Sequence, residues 1–416
     1  MVEPPDTLSS APWPYVRSRA GRPLPVQGPE EGLTVGAVRH RMRDATRVIK
    51  AGLPAPAQGE PFLPGPTFAS KFFLEGEPSS SPYTYGRNGN PTWTRFERAL
   101  TDLEGGPTLV YASGMAAVNA VWTDTLLRTS GPRVLALPSD GYNLARRVAR
   151  EFYAPLGVEV RMAPTADPKF ADLFEGATLV WLESPSNPML DVCDLAPMIA
   201  EAHRRGALVA VDNTTATVLA QRPLELGADF SVASDSKALC GHSDLILGHV
   251  AVRDPQRAAR LKSGRDEQGS IAGPMEVWLA HRSLETMDVR LERACANALA
   301  IARFLRTRSE TRQVRYPGLP NDPSYPIASR QMRRFGPIVS FELADRATAE
   351  RFLHACHLVL TATSFGGVHT TAERRGRWAG ESLPEGFIRL SAGCESADDL
   401  VEDIGTALTA ATEGGR

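Results

Sequence analysis

Val211-Asp212-Asn213-Thr214 and, further on, Ser234-Asp235-Ser236-Lys237 are the stretches that decide the fold. Asp212 closes the apolar run 208–212, and Lys237 follows a second run at 230–234. Ligands of open α/β sheets sit at the carboxyl ends of strands. A carboxylate and a lysine 25 residues apart, each just past a strand, can therefore face one pocket.

On either side, short apolar runs alternate with helical patterns. Strands are expected at 108–111, 134–137, 158–162, 179–182, 208–212, 230–234 and 247–252, with a helix at 195–204 among them. Such βα alternation implies a mostly parallel sheet covered on both faces. Upstream, Phe96, Leu100 and Leu103 fall at helical spacing, and Gly105-Gly106 stops that helix. A shorter helix is expected over 35–51, ended by Gly52. After Pro274, residues 275–307 read as one long helical region. Beyond it, strands at 338–342 and 387–391 mix with helices at 347–356 and 397–411, which implies a smaller α+β domain. The expected division is an N-terminal arm at 1–75, partly extended and intersubunit, a large domain at 76–274, and a C-terminal domain at 275–416 with its linking helix. The proline-rich first 32 residues read as an extended segment.

The composition excludes several classes of function. The chain has 416 residues with formal charge −2, and it carries no basic stripe, so no nucleic-acid or membrane partner is expected. No apolar run is long enough to span a bilayer. Five cysteines are scattered without CxxC spacing, which argues against a disulfide framework or a zinc cluster and fits a reducing cytoplasm. No metal site is expected.

The Asp212/Lys237 pair suits pyridoxal 5'-phosphate (PLP). The lysine would join the cofactor's aldehyde as an imine, and the carboxylate would keep the pyridine nitrogen protonated. Taken singly, a strand-end Asp is more often a cap, and a lysine is usually a solvated charge. Other segments add to the pair. In 111–117, a strand, a Ser-Gly turn and a small-residue helix offer free N–H groups to a phosphate, although many βα turns look the same. Ser234 and Ser236 could add hydroxyls. Tyr142, after a strand, could stack on a planar ring or simply be half-buried. Asn187, between Pro185 and Pro188, could hydrogen-bond the cofactor or mark a rigid turn.

Together the motifs resemble the Cys/Met-metabolism PLP enzymes: cystathionine γ-synthase, cystathionine lyases, methionine γ-lyase and the O-acylhomoserine sulfhydrylases. The matching stretches are Tyr85-Gly86-Arg87-Asn88-Gly89-Asn90-Pro91-Thr92, Leu103-Glu104-Gly105-Gly106, Ser113-Gly114-Met115-Ala116-Ala117, Glu183-Ser184-Pro185-Ser186-Asn187-Pro188, Val211-Asp212-Asn213-Thr214, and the stretch 223–229. Ser236-Lys237, Gly241-His242-Ser243-Asp244 and Ile388-Arg389-Leu390-Ser391-Ala392-Gly393 follow in the family's order. The wording, including Ala362-Thr363-Ser364-Phe365-Gly366-Gly367-Val368, is most similar to actinobacterial cystathionine γ-lyase-type sequences.

The resemblance implies PLP fold type I, the aspartate aminotransferase-like fold. It implies that Lys237 holds the cofactor and shuttles protons, and that Asp212 pairs with the pyridinium. Gly114, Met115, Ser234 and Ser236 would hold the phosphate. Tyr142 would stack on the ring and could act as acid or base, and Asn187 would contact the cofactor edge. Tyr85 and Arg87 would reach the phosphate of a neighbouring subunit within a homotetramer. Arg389, with Ser364 beside it, would bind the substrate carboxylate. The implied reaction is γ-elimination on a γ-substituted L-amino acid such as cystathionine, giving a 2-oxo acid, ammonia and the leaving group.

The chain departs from the family at Tyr142-Asn143-Leu144-Ala145, at His369-Thr370-Thr371 and at Arg374-Arg375-Gly376-Arg377-Trp378. These regions line the substrate pocket in relatives. They leave open γ-replacement and a non-sulfur leaving group such as halide or acyl ester. His369 could touch the leaving group or be a packing residue. A non-catalytic scaffold is a remoter alternative, which the retained Lys237, Asp212, Tyr142 and Arg389 oppose.

Overall fold

The computed structural model describes residues 42–378, 380 and 382–413. The expected extended segment at 1–32 lies outside the described residues, as does the first part of the helix expected over 35–51. The described part of that helix is Asp44–Lys50.

Seven strands form the first sheet: β1 (Thr108–Tyr111), β2 (Val134–Pro138), β3 (Glu159–Ala163), β4 (Leu179–Glu183), β5 (Leu208–Asp212), β6 (Phe230–Ala233) and β7 (Gly248–Val252). Their spatial order is β1-β7-β6-β5-β4-β2-β3. The pairs β3/β2, β2/β4, β4/β5 and β5/β6 are parallel, whereas β7 runs antiparallel to both β6 and β1. β2, β4 and β7 are buried along their whole length. Both faces are covered, so their sequences read as continuous apolar runs.

Alternate side chains feed two cores. On one face Trp181 meets Trp122 edge-on with ring centroids 5.4 Å apart, beside the Gly114–Trp122 helix. On the other, Val180 and Leu182 pack with Phe170, Phe174 and Ile199, the last from the helix Leu195–Arg204.

The second sheet contains β8 (Arg312–Arg315), β9 (Ile338–Glu342), β10 (Leu360–Thr361), β11 (Thr371–Arg374) and β12 (Phe387–Ser391), in the order β10-β11-β12-β9-β8. Its core joins Phe341 and Phe352, with rings 5.8 Å apart, to Leu400, Ile404 and Leu408 of the helix Ala397–Glu413. The expected α/β fold with a smaller C-terminal α+β part is thus present.

The single long helical region expected at 275–307 is instead two helices, Pro274–Leu284 and Met287–Leu305. The carbonyl of Ser283 accepts from the Thr286 N–H, the Thr286 hydroxyl and Arg290 Nη2. That diverts it from the helical ladder and breaks the rod at Glu285-Thr286.

Candidate active site

The carboxyl ends of β1, β2, β4, β5 and β6 deliver side chains to one cavity of about 650 Å³. After β1 come Ser113, Gly114 and Met115; after β2, Tyr142; from β4, Glu183 and Asn187; from β5, Asp212; after β6, Ser234, Ser236 and Lys237. Ser364 and His369 close the wall from the second sheet's side. Of the residues singled out in the sequence, these ten apart from Ser113 and Glu183 line one space.

Asp212 ends β5, and its Oδ1 accepts the Thr214 N–H at 3.0 Å. Burial raises its pKa, against the Thr214 bonds and the charge of Lys237. A buried carboxylate gains most from a cationic neighbour such as a pyridinium. Glu183 lies opposite Asp212 in the β4/β5 register. Burial, followed by the Asp212 charge, holds the Glu183 carboxyl well above its usual range. Its two oxygens accept the N–H groups of Tyr142 at 2.6 Å and Asn187 at 2.9 Å. Glu183 therefore fixes the backbone of two predicted site residues, a role the motif alone did not reveal. The Ser184-Pro185 and Asn187-Pro188 bonds beside it are cis.

Lys237 is half-buried, with Nζ 5.5 Å from the centroid of Phe365. Desolvation, then the nearby Arg389 charge, lowers its pKa, while Asp212 opposes them. The amine is thereby brought closer to a usable base. Tyr142 is partly exposed, and burial holds its phenol in the protonated form.

The phosphate-type cradle is built by close approach. Ser113 caps the helix Gly114–Trp122 by accepting the Ala116 N–H, which leaves the first N–H groups of the helix, those of Gly114 and Met115, facing the cavity end. A Cβ on Gly114 would stand 2.7 Å from Ser234 Cβ, and one on Gly248 would stand 2.6 Å from Gly114 Cα. Only glycine lets these three segments meet. Ser234 is held by its N–H, donated to Thr214 Oγ1 at 2.9 Å. The hydroxyl of Ser236 is tied to its own loop, donating to Leu247 O and accepting the Leu247 N–H.

Arg389, buried on β12, stands behind the wall. Nη1 donates to Asn187 Oδ1 at 2.8 Å, and Nη2 donates to Ser364 O at 2.9 Å and to the buried Glu373. Desolvation brings its pKa down to about 10. Ser364 adopts the left-handed region at φ 76°, which turns its carbonyl to this guanidinium. Glu373 also accepts from Arg375, Arg377, the Trp378 indole and Thr363. The divergent stretch at 374–378 thus wraps a buried carboxylate, which sequence reading missed because β11 looks charged and exposed.

Tyr85 and Arg87 do not reach this chain's cavity. Tyr85 is partly exposed on the outside with the Arg87 guanidinium 5.3 Å over its ring.

A seven-stranded sheet carrying a lysine, a strand-end carboxyl and a helix-capped anion cradle at one edge defines a cofactor-dependent α/β enzyme. Residues 57–409 match the family described as Cys/Met metabolism PLP-dependent enzyme. The chain is 55% identical over 375 residues to a putative cystathionine gamma-lyase of Streptomyces coelicolor, covering 89% of this chain and 94% of that one. It is 34% identical over 339 residues to the cystathionine gamma-lyase of Bacillus subtilis, covering 78% and 88%. Among solved structures it resembles a cystathionine gamma synthase from Xanthomonas oryzae (TM-score 0.85, 31% identity, covering 89% and 99%). It also resembles a methionine gamma lyase from Micromonospora echinospora (TM-score 0.81, 34% identity, covering 88% and 99%). The chain belongs to the Cys/Met-metabolism PLP-dependent enzymes, with the fold expected of them and PLP as cofactor. The donor set of the cavity fits that group: an amine for the aldehyde, a carboxyl for the ring nitrogen, and N–H groups for the phosphate.

Proposed function

We propose that the chain is a γ-lyase of the carbon–sulfur type, acting on a γ-substituted L-amino acid such as cystathionine. The observation that carries this reading is the convergence of Lys237, Asp212 and the Arg389–Asn187–Ser364 network on one cavity. The names of the Streptomyces coelicolor and Bacillus subtilis relatives support the substrate class.

When bound, PLP supplies an electron sink conjugated to the substrate Cα. Lys237 would be the residue that holds the cofactor's aldehyde and, as a free amine, the base for the substrate's Cα proton. Its lowered pKa increases the neutral fraction available for that step. Asp212 would pair with the ring nitrogen and keep it protonated. Tyr142 would stack on the ring and, held protonated by burial, would be a proton donor. Gly114, Met115 and Ser234 would hold the phosphate, with Ser236 shaping the loop. Arg389 holds the substrate carboxylate beside Asn187 and Ser364. His369, exposed on the cavity wall, is the residue we assign to contact with the γ-substituent. Loss of the Cβ proton and the γ-substituent, then hydrolysis, yields the leaving group, a 2-oxo acid and ammonia.

Purified protein given cystathionine is expected to release cysteine, 2-oxobutanoate and ammonia. Absence of both cysteine and 2-oxobutanoate overturns the reading. Replacement at Cγ is the second reading, favoured by the likeness to the Xanthomonas oryzae synthase. A thiol added to the assay, with products weighed, separates the two.

The assembly proposed is a homotetramer in which Tyr85 and Arg87 of one chain reach the neighbour's phosphate. That neither residue lines this chain's own cavity supports it, and a PLP-loaded monomer in solution would contradict it. The domain division proposed is an arm to residue 75, a PLP domain at 76–274 and a C-terminal domain from 275, in keeping with the two sheets. A cytoplasmic location is proposed from the five free thiols. No helix among the described residues is long and apolar enough to cross a membrane.

A further inference from the structure

Behind the lysine loop, out of the cavity, lies a cluster that none of these roles uses. His249 Nδ1 is 2.6 Å from Asp235 Oδ1, and His249 Nε2 is 3.1 Å from Glu104 Oε1. All three side chains are at most 1% exposed. An imidazole with a carboxyl oxygen at each nitrogen is held at both ends. The second oxygens, Asp235 Oδ2 and Glu104 Oε2, are buried with no hydrogen-bond partner among the described residues. An apolar interior would not retain two such carboxyls without the imidazole, because each unpaired buried charge costs several kcal/mol.

The three anchors lie on three different elements. Asp235 stands between Ser234 and Ser236, two residues before Lys237. Glu104 is the last residue of the helix Pro91–Glu104. His249 is on β7, in register with Ala233 of β6 and Val110 of β1. The residue before it, Gly248, makes room for Gly114 on the opposite face. β7 thus supports the cofactor cradle from one face and the lysine loop from the other.

We propose that His249 is a positioning residue for Lys237: by joining Asp235 to Glu104 it fixes the turn that aims Ser234, Ser236 and the lysine at the cofactor. The inference rests on the reading of Lys237 as the cofactor's attachment point. The groups that face the imidazole are Asp235 and Glu104, and Cys240 lies next to Asp235. Burial and the Asp235 charge raise the Cys240 thiol well above its usual range, so it stays neutral through the neutral pH region.

The test uses holoenzyme carrying His249→Gln or Asp235→Asn. Loss of a charge-assisted bond at this turn is expected to speed PLP release into excess apo-acceptor protein by about tenfold or more. In His249→Gln the pH midpoint of the lysine-bound cofactor's absorbance band should move, because a loosened turn no longer holds the lysine at its fixed place relative to Arg389 and Asp212, the charges that act on it. A merely structural role would lower the melting temperature and leave that midpoint unmoved. Folded variants with wild-type release rate and wild-type midpoint overturn the proposal. If His249→Gln does not fold, Asp235→Asn, of nearly equal volume, carries the test by its release rate. Lys237→Ala in the same series reports on the underlying assignment alone. If it keeps the wild-type absorbance band, both the assignment and this proposal fall.

Discussion

Glu373 and Arg389 face each other across the β11–β12 ladder and form an ion pair that is almost wholly shielded from solvent. The guanidinium assigned to the substrate is thereby anchored from behind. Removing one partner of a buried pair costs about 3–5 kcal/mol, because the other charge is left uncompensated. Glu373→Gln should therefore lower the unfolding free energy in urea by about 3 kcal/mol. In the surviving folded fraction, KM for the amino acid should change more than kcat. An unfolding midpoint equal to wild type would refute this account of the cluster.

Gly114 offers a test of the phosphate cradle. A Cβ there would stand 2.7 Å from that of Ser234, closer than real contacts permit. Overpacking of this kind costs about 1–3 kcal/mol. Gly114→Ala should weaken PLP binding by about tenfold or more, measured by fluorescence titration of apoenzyme. Unchanged affinity would show that the phosphate sits elsewhere.

For Lys237, the expectation concerns both colour and rate. Lys237→Ala should lose the covalent cofactor absorbance and at least about a thousandfold in kcat, since attachment and proton transfer fall together. A variant that turns over at wild-type rate would remove the lysine from the mechanism.

His249 makes stability depend on pH in a defined window. Its pKa is raised from 6.5 to about 10; desolvation acts against the rise, and the Asp235 and Glu104 interactions outweigh it. A group whose pKa rises on folding contributes fully below the unfolded value and loses that contribution as pH climbs through the folded one. The stability gap between wild type and His249→Gln should be widest below about pH 6.5 and narrow as pH climbs through about 10. The Cys240 thiol is common to both proteins and cancels in the difference. Urea midpoints across that range decide it, and a gap that grows with pH would reverse the assigned charge.

Much of this architecture was legible in the sequence. β1 and β5 fall on apolar runs, since burial on both faces leaves little polar interruption, and β9 and β12 stay legible although Ser340 and Arg389 interrupt their apolar residues. Asp212, Lys237 and the Ser-Gly turn were visible for the same reason, as polar residues just beyond such runs. The break at Glu285-Thr286 was not, because it comes from side chains competing for one carbonyl and no Gly or Pro marks it. β8 and β11 were missed because their sequences, Arg-Gln-Val-Arg and Thr-Ala-Glu-Arg, look solvated. The burial of Glu373 depends on partners that come together only in the folded sheet. Glu183 reads in sequence only as the start of a Pro-rich turn, because its hold on the Tyr142 and Asn187 N–H groups arises only when the loop after β2 folds over the end of β4.

The two adjoining positions on β7 have a consequence for how this sequence can change. Gly248 must present nothing to one side, and His249 must present an imidazole to the other. A strand exchanges its faces with every single-residue shift. Inserting or deleting one residue in β7 would thrust the imidazole against the cradle and withdraw it from Asp235 in a single event. Lineages descended from this enzyme should therefore keep the length of β7 invariant while its apolar residues drift, and substitutions at 249, 235 and 104 should travel together.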